Sequence, residues 1–233
     1  MAYARSAAFK SLQRRLRELH SVVAHAWRLK KGGKRLPIYK EALLSSSVLL
    51  SFAHFESYVG DVTNDVCKAF CSAALSSAQF PAALRAHVAV GSKLKGWGEI
   101  QDPTKQRAQI LAHKANGGFE ILNDLTVPLK IDVDSILVDV SYPKLKNVKK
   151  LLNRLGVDDP IASLIKSGGH SISQKLISIH DARAELAHTG QAPNWTKTDY
   201  QHRLQELLQF AAAMDRVLFT LVASTVKSTN WIR

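Results

Sequence analysis

The sequence predicts an all-α fold, an antiparallel bundle of four main helices with short helices inserted between the second and third. Three observations predict it. Apolar residues recur at steps of three and four through residues 5–75 and again through 196–224. Most of the prolines and glycines fall in between, where they divide the chain into short pieces. The 233 residues are enough for one domain that buries a sizeable core. We read 1–233 as that single domain, with a basic N-terminal helix and loop over 1–36 and the bundle core over 37–225.

Taken in order, Phe9, Leu12, Leu16, Leu19, Val23 and Trp27 make the stripe of an amphipathic helix over about 5–29. A glycine-broken basic loop, Lys30 to Arg35, follows. Pro37 suits the first turn of a second helix. That helix runs to about Leu75 and is expected to be the most buried, with Leu44, Val48, Phe52, Phe55, Val59, Val62, Val66 and Phe70 in period. Serines 45–47 and Ser51 line its thinner side. Pro81 opens a short helix. Thr104 is a plausible N-cap for a helix that Gly117-Gly118 ends. Residues 127–140 fit either a small strand pair or two brief helices. Pro143 opens a basic helix ended by Gly156, and Asp159-Pro160 starts another up to Lys166. Ser171 to Gly190 is the third main helix. Thr196 or Thr198 caps the fourth.

Charge narrows the function. The formal balance is +13, and residues 1–40 hold eleven Lys or Arg against the single acid Glu18. Such a surface attracts polyanions, of which RNA or DNA is the commonest inside a cell. Arg14, Arg15, Lys30 and Lys31 belong to this first basic face. Lys144, Lys146, Lys149, Lys150 and Arg154 form a second, opposite the Leu145, Val148, Leu151, Leu152 and Leu155 stripe. Cys67 and Cys71 sit one helical turn apart, which is poor disulfide geometry, so two free thiols and a reducing cytoplasm are expected. No unbroken apolar run approaches the roughly 18 residues of a membrane span. The basic N-terminus lacks a secretory apolar core and cleavage site.

Chemistry concentrates in Ser171 to Gly190. The stretch begins with Ile172, Leu176, Ile177 and Ile179, then brings Asp181, Arg183, Glu185 and His188 within eight residues of one another. Glu56, in the run FESYV of the second helix, is a candidate partner for Arg183. His180 stands at the change from apolar to polar and is read first as a packing residue. No His, Cys or carboxylate group has the spacing of a metal site, and the chemistry calls for no cofactor.

With FESYV on an early helix, PKLKNVKKLLNRLGV in the middle and Arg183-x₄-His188 before a final long helix, the chain resembles the HEPN superfamily of small all-α ribonucleases. Its RiboL-PSP type is the nearest likeness, over roughly 37–225. The resemblance implies a metal-independent endoribonuclease that works as a homodimer in toxin–antitoxin, antiphage or CRISPR-linked systems, with RNA as substrate and a cognate antitoxin or defence protein as partner. It also implies catalytic roles for Arg183 and His188. The chain departs from the pattern at Ala184, where the position after the motif arginine is commonly polar. Non-catalytic binding modules share the fold.

The residues themselves suit that chemistry. Cleavage by the 2′-OH needs a base, an acid and a cation for the charged phosphorane. His serves as base or acid near neutral pH, and Arg is planar, permanently charged and bidentate. Five residues along a helix turn by about 140° and rise about 7.5 Å. Arg183 and His188 therefore diverge in one chain, and a two-fold partner is expected to supply a second pair. Ala184 and Ala187 leave room for it. Glu185, three residues before His188, is placed to fix the imidazole tautomer. The competing readings are a structural ion pair of Arg183 with Glu56 or Asp181, and a His188 that only caps its helix.

Overall fold

In the computed structural model, residues 3–31, 34–35, 37–73, 75–91, 131–140, 142–190 and 194–227 are described. They form α1 (Ala7–Ala26), β1 (Lys30–Lys31), β2 (Lys34–Arg35), α2 (Pro37–Ser72), α3 (Ala82–Gly91), α4 (Val133–Leu137), α5 (Leu145–Leu155), α6 (Pro160–Gly168), α7 (Ile172–Thr189) and α8 (Lys197–Val226). The helix expected over 105–116 and residues 127–130 of the stretch read as strand pair or helices lie outside the described residues.

Four helices make the bundle. α8 packs against α1, α2, α6 and α7, and α2 also packs against α1 and α7. The predicted stripe of α1 is buried from Phe9 to Val23. On α2, Phe52, Phe55, Val59, Val62, Val66 and Phe70 are buried with Tyr58, whose hydroxyl donates to the Ala211 carbonyl of α8 at 3.0 Å. Ser47 and Ser51 are buried too, and their hydroxyls bond back to the carbonyls of Leu43 and Val48 within the helix. Their small side chains let α2 sit close to its neighbours.

Local chemistry sets the helix ends. The Ser6 hydroxyl caps α1 by accepting from the Phe9 N–H at 2.9 Å. Thr196, not Thr198, caps α8 in a reciprocal box with Asp199. Asp159 caps α6 with Pro160 next to it. Gly156 closes α5 at φ +102°, and a Cβ there would stand 2.2 Å from the Pro81 Cβ. Only glycine permits both that backbone conformation and that approach of α5 to α3.

Three expectations change. Within 131–140 the chain forms the short helix α4, capped by Asp132, and no strand. The Asp132 carboxylate satisfies the Asp134 N–H at 3.1 Å, which favours a helix start over an extended run. The basic loop after α1 closes as a two-residue antiparallel ladder, with Lys30 opposite Arg35 and Lys31 opposite Lys34. Finally, α8 is long and apolar enough to cross a membrane by length and composition alone, although 61% of its most apolar window is buried in the protein. Counting unbroken apolar runs misses this, because isolated polar residues interrupt the stretch. Cys67 and Cys71 are both free. Cys67 is buried and Cys71 exposed, and burial pushes the Cys67 thiol up to about 12.

Candidate RNA-processing site

α7 meets α2 and the loop before α5 at a cluster of rings. Phe52 and Tyr142 pack at 5.1 Å between centroids. The His180 imidazole stands edge-on to both, at 5.8 Å and 5.5 Å. One turn further along α7, the Arg183 guanidinium lies 4.5 Å above the Tyr142 ring and 6.0 Å from that of Phe52. Three-residue spacing places His180 and Arg183 on the same helix face, which is why both reach the cluster. Asn147 holds Tyr142 in place, its side-chain amide donating to the Tyr142 carbonyl at 2.7 Å.

The electrostatics follow from this packing. Among the described residues no carboxylate comes within 4.0 Å of Arg183, so the expected alternative of an ion pair with Glu56 or Asp181 is not formed. Asp181 instead faces the His180 Nδ1 at 3.2 Å. Glu56 is exposed and still near enough to act electrically on Tyr142. Burial pushes the Tyr142 phenol above its ordinary value, Arg183 pulls it down, and Glu56 pushes it up again. The arginine is thus oriented by aromatic faces, which leave its N–H edges uncommitted to an acid.

The motif histidine is placed differently. α7 runs to Thr189, one residue beyond the expected end at His188. Gly190 at φ +70° closes the helix, with its N–H donating to the Leu186 carbonyl at 2.9 Å. His188 and Glu185 are both exposed, and among the described residues they make no hydrogen bond to each other. The structure brings Arg183, His180 and Glu56 to one place and leaves His188 and Glu185 on open surface near the helix end.

The second basic face begins two residues after Tyr142 in the chain. Lys144, the N-cap of α5, is two residues from Tyr142 and donates its N–H to the Tyr142 carbonyl at 2.8 Å. Lys146, Lys149 and Lys150 are exposed beyond it, Lys150 at 3.5 Å from Asp139. Arg154 is the exception. Its guanidinium donates to the carbonyls of Ile136 and Val138 and so ties α5 to the end of α4. Of the first basic face, Arg14 is exposed and Arg15 half-buried. Lys30 and Lys31 are described by their backbone pairing alone. Among the described residues no three His, Cys, Asp or Glu side chains converge as a metal-ligand set.

A family model described as RiboL-PSP-HEPN matches residues 10–219. The chain belongs to the RiboL-PSP-HEPN family. The match begins inside α1, earlier than the roughly 37–225 over which the motifs carry the resemblance. Searches of curated proteins and of solved structures return no match. Membership points to nuclease or other RNA-related function.

Sequence reasoning missed Tyr142 and Phe52 as site residues. Phe52 carries a core-period signal indistinguishable from that of its neighbours. The signal for Tyr142 is an aromatic residue directly before Pro143, an extended dipeptide that leads into a basic helix.

Proposed function

We propose that this protein is a metal-independent endoribonuclease that cleaves RNA by attack of the 2′-OH on the neighbouring phosphate. The observation that carries the reading is Arg183: a half-buried guanidinium on an aromatic platform, with no carboxylate within 4.0 Å among the described residues, at the head of a run of exposed lysines. Such a cation suits a phosphorane, whose charge grows in the transition state. His188 supplies acid–base catalysis.

A homodimer completes the site in this reading. Arg183 and His188 diverge along α7, so one chain offers a cation and one chemically competent imidazole, whereas the reaction needs both an acid and a base. One face of α2 supports association. Ile38, Tyr39, Leu49 and Leu50 are exposed there, Ile38 at 79% and Tyr39 at 65%, and the face leads to Glu56 beside the cluster. The biological role in this reading is a cytoplasmic toxin or antiphage effector, held in check by a cognate protein.

The test is incubation of RNA with the protein in EDTA. The reading expects products with 2′,3′-cyclic phosphate ends, and His188→Ala slower by about 100-fold, the low end of acid–base contributions. Equal rates for His188→Ala and wild type sink the mechanism. A second reading, a non-catalytic RNA-binding module, draws on the exposure of His188 and on Ala184. It expects salt-sensitive RNA binding without product, unchanged in the Arg183→Ala, His188→Ala double variant.

A further inference from the structure

Of the five large hydrophobic side chains exposed among the described residues, four lie on α2: Ile38, Tyr39, Leu49 and Leu50. Tyr39, Ser46, Ala53 and Gly60 recur at every seventh position and so follow one line along the outside of the helix. Leu49 and Leu50 stand about 50° to either side of that line. Ser46 and Ala53 are exposed. At Gly60 an added Cβ would meet nothing within 4 Å. The line thus carries a ring at one end, small side chains flanked by leucines in the middle, and no side chain at the other end.

Charge divides along the same line. Residues 28–40, which lead into the Tyr39 end, hold six Lys or Arg and no acid. Residues 56–65, around the Gly60 end, hold three acids and no Lys or Arg, and Glu56 and Asp61 are exposed. A face of this kind complements itself when it is turned end for end. A second copy, rotated about a two-fold axis between Leu49 and Leu50, sets Tyr39 over the partner's Gly60 and the cationic end beside the acidic one. Leu49 and Leu50 each meet their own counterpart next to the axis. Ala53 meets the partner's Ser46, and side chains that small let the helix axes approach to about 8 Å. A parallel pairing would put Tyr39 on its own copy and cations on cations.

We infer that α2 is the homodimer seam, packed antiparallel against α2 of a second copy with the two-fold axis between Leu49 and Leu50. The inference rests on the homodimer reading above and adds the helix, its direction and its register. It also places the ring cluster. Phe52 lies about 4 Å along α2 from the axis. The axis of an antiparallel pair stands perpendicular to both helices, so the Phe52 flanks of the two copies lie on one side. Both Arg183 clusters then face that side of the dimer. A parallel seam would turn them to opposite sides.

The test uses the full chain with Cys71→Ser, which removes the exposed native thiol. Tyr39 and Gly60 are roughly 30 Å apart along one helix, too far for a disulfide within a chain. Under mild oxidation the Tyr39→Cys, Gly60→Cys double variant should be captured as a covalent dimer, and neither single variant should be. In sedimentation equilibrium, Gly60→Leu should weaken the dimer about tenfold, the loss expected when a central contact is blocked, with helix content unchanged by circular dichroism. Added salt should weaken association, since it screens the paired ends. Capture through Tyr39→Cys alone marks a parallel seam and overturns the inference while the homodimer reading stands. So does a dimer that the double variant fails to capture or that Gly60→Leu leaves as tight as before. A chain that sediments as a monomer at every concentration overturns the inference and the homodimer reading together.

Discussion

Asp215 and Arg183 are both charged groups drawn into the bundle, and they are held in opposite ways. The Asp215 carboxylate, fully buried on α8, accepts from the Tyr3 hydroxyl at 2.6 Å, from the Ser6 N–H at 3.1 Å and from the Ser6 hydroxyl. Its partners come from the first six residues, so the group fastens the N-terminal arm to the last helix. Arg183 is half-buried, rests on ring faces and lacks an acid within 4.0 Å among the described residues. Burial alone does not separate a structural charge from a functional one. The difference is whether the group's hydrogen-bonding capacity is used up within the fold.

The largest effect expected from this contrast is on folding. Asp215→Ala strands three donors, two of them buried, and should lower the unfolding free energy by about 3 kcal/mol, read by urea titration. Gly156→Ala should cost about 2 kcal/mol by the same measurement, because the new methyl meets Pro81 and the backbone is strained. Neither should alter RNA affinity of the folded fraction. Arg183→Ala reverses the pattern: less than about 1 kcal/mol of stability, since it removes only contacts with rings, but loss of cleavage on the order of 100-fold. Stability that falls as far for Arg183→Ala as for Asp215→Ala would erase the distinction.

Smaller effects sharpen it. Tyr142→Phe keeps the platform and should leave activity within about twofold, whereas Tyr142→Ala frees the guanidinium and should reduce cleavage about tenfold, a loss of cation–π and positional order. A pH series isolates Asp215. Burial outweighs its three hydrogen bonds, so its carboxyl titrates above its ordinary 3.8 in the folded protein. A raised acid favours folding in its protonated form. That contribution is full below pH 3.8 and fades as pH rises through the folded value. Asp215→Asn should remove this fall from the curve of stability against pH.

Much of the bundle is legible in the sequence because its signals are periodic. The α1 stripe, the long α2, the Gly156 stop and the Thr196 cap depend on spacings within one helix. The platform under Arg183 does not. Tyr142 reaches α7 across a loop, and nothing in its neighbourhood repeats. Asp215 is hidden for a related reason: it looks like a stray acid in an apolar helix until Tyr3 and Ser6, more than 200 positions earlier, are seen to satisfy it. Arg154 shows the same limit from the other side. Its place in a lysine-rich run suggests an RNA contact, and the carbonyls that occupy it belong to α4.

The most direct test of Arg183 as an uncommitted phosphate ligand is the salt dependence of RNA affinity for wild type and Arg183→Gln. Each phosphate contact on a single strand contributes about 0.7 to the slope of log affinity against log salt. The account predicts a slope shallower by about that amount in Arg183→Gln, with an unchanged thermal midpoint. An unchanged slope would mean that Arg183, like Asp215, serves the fold alone.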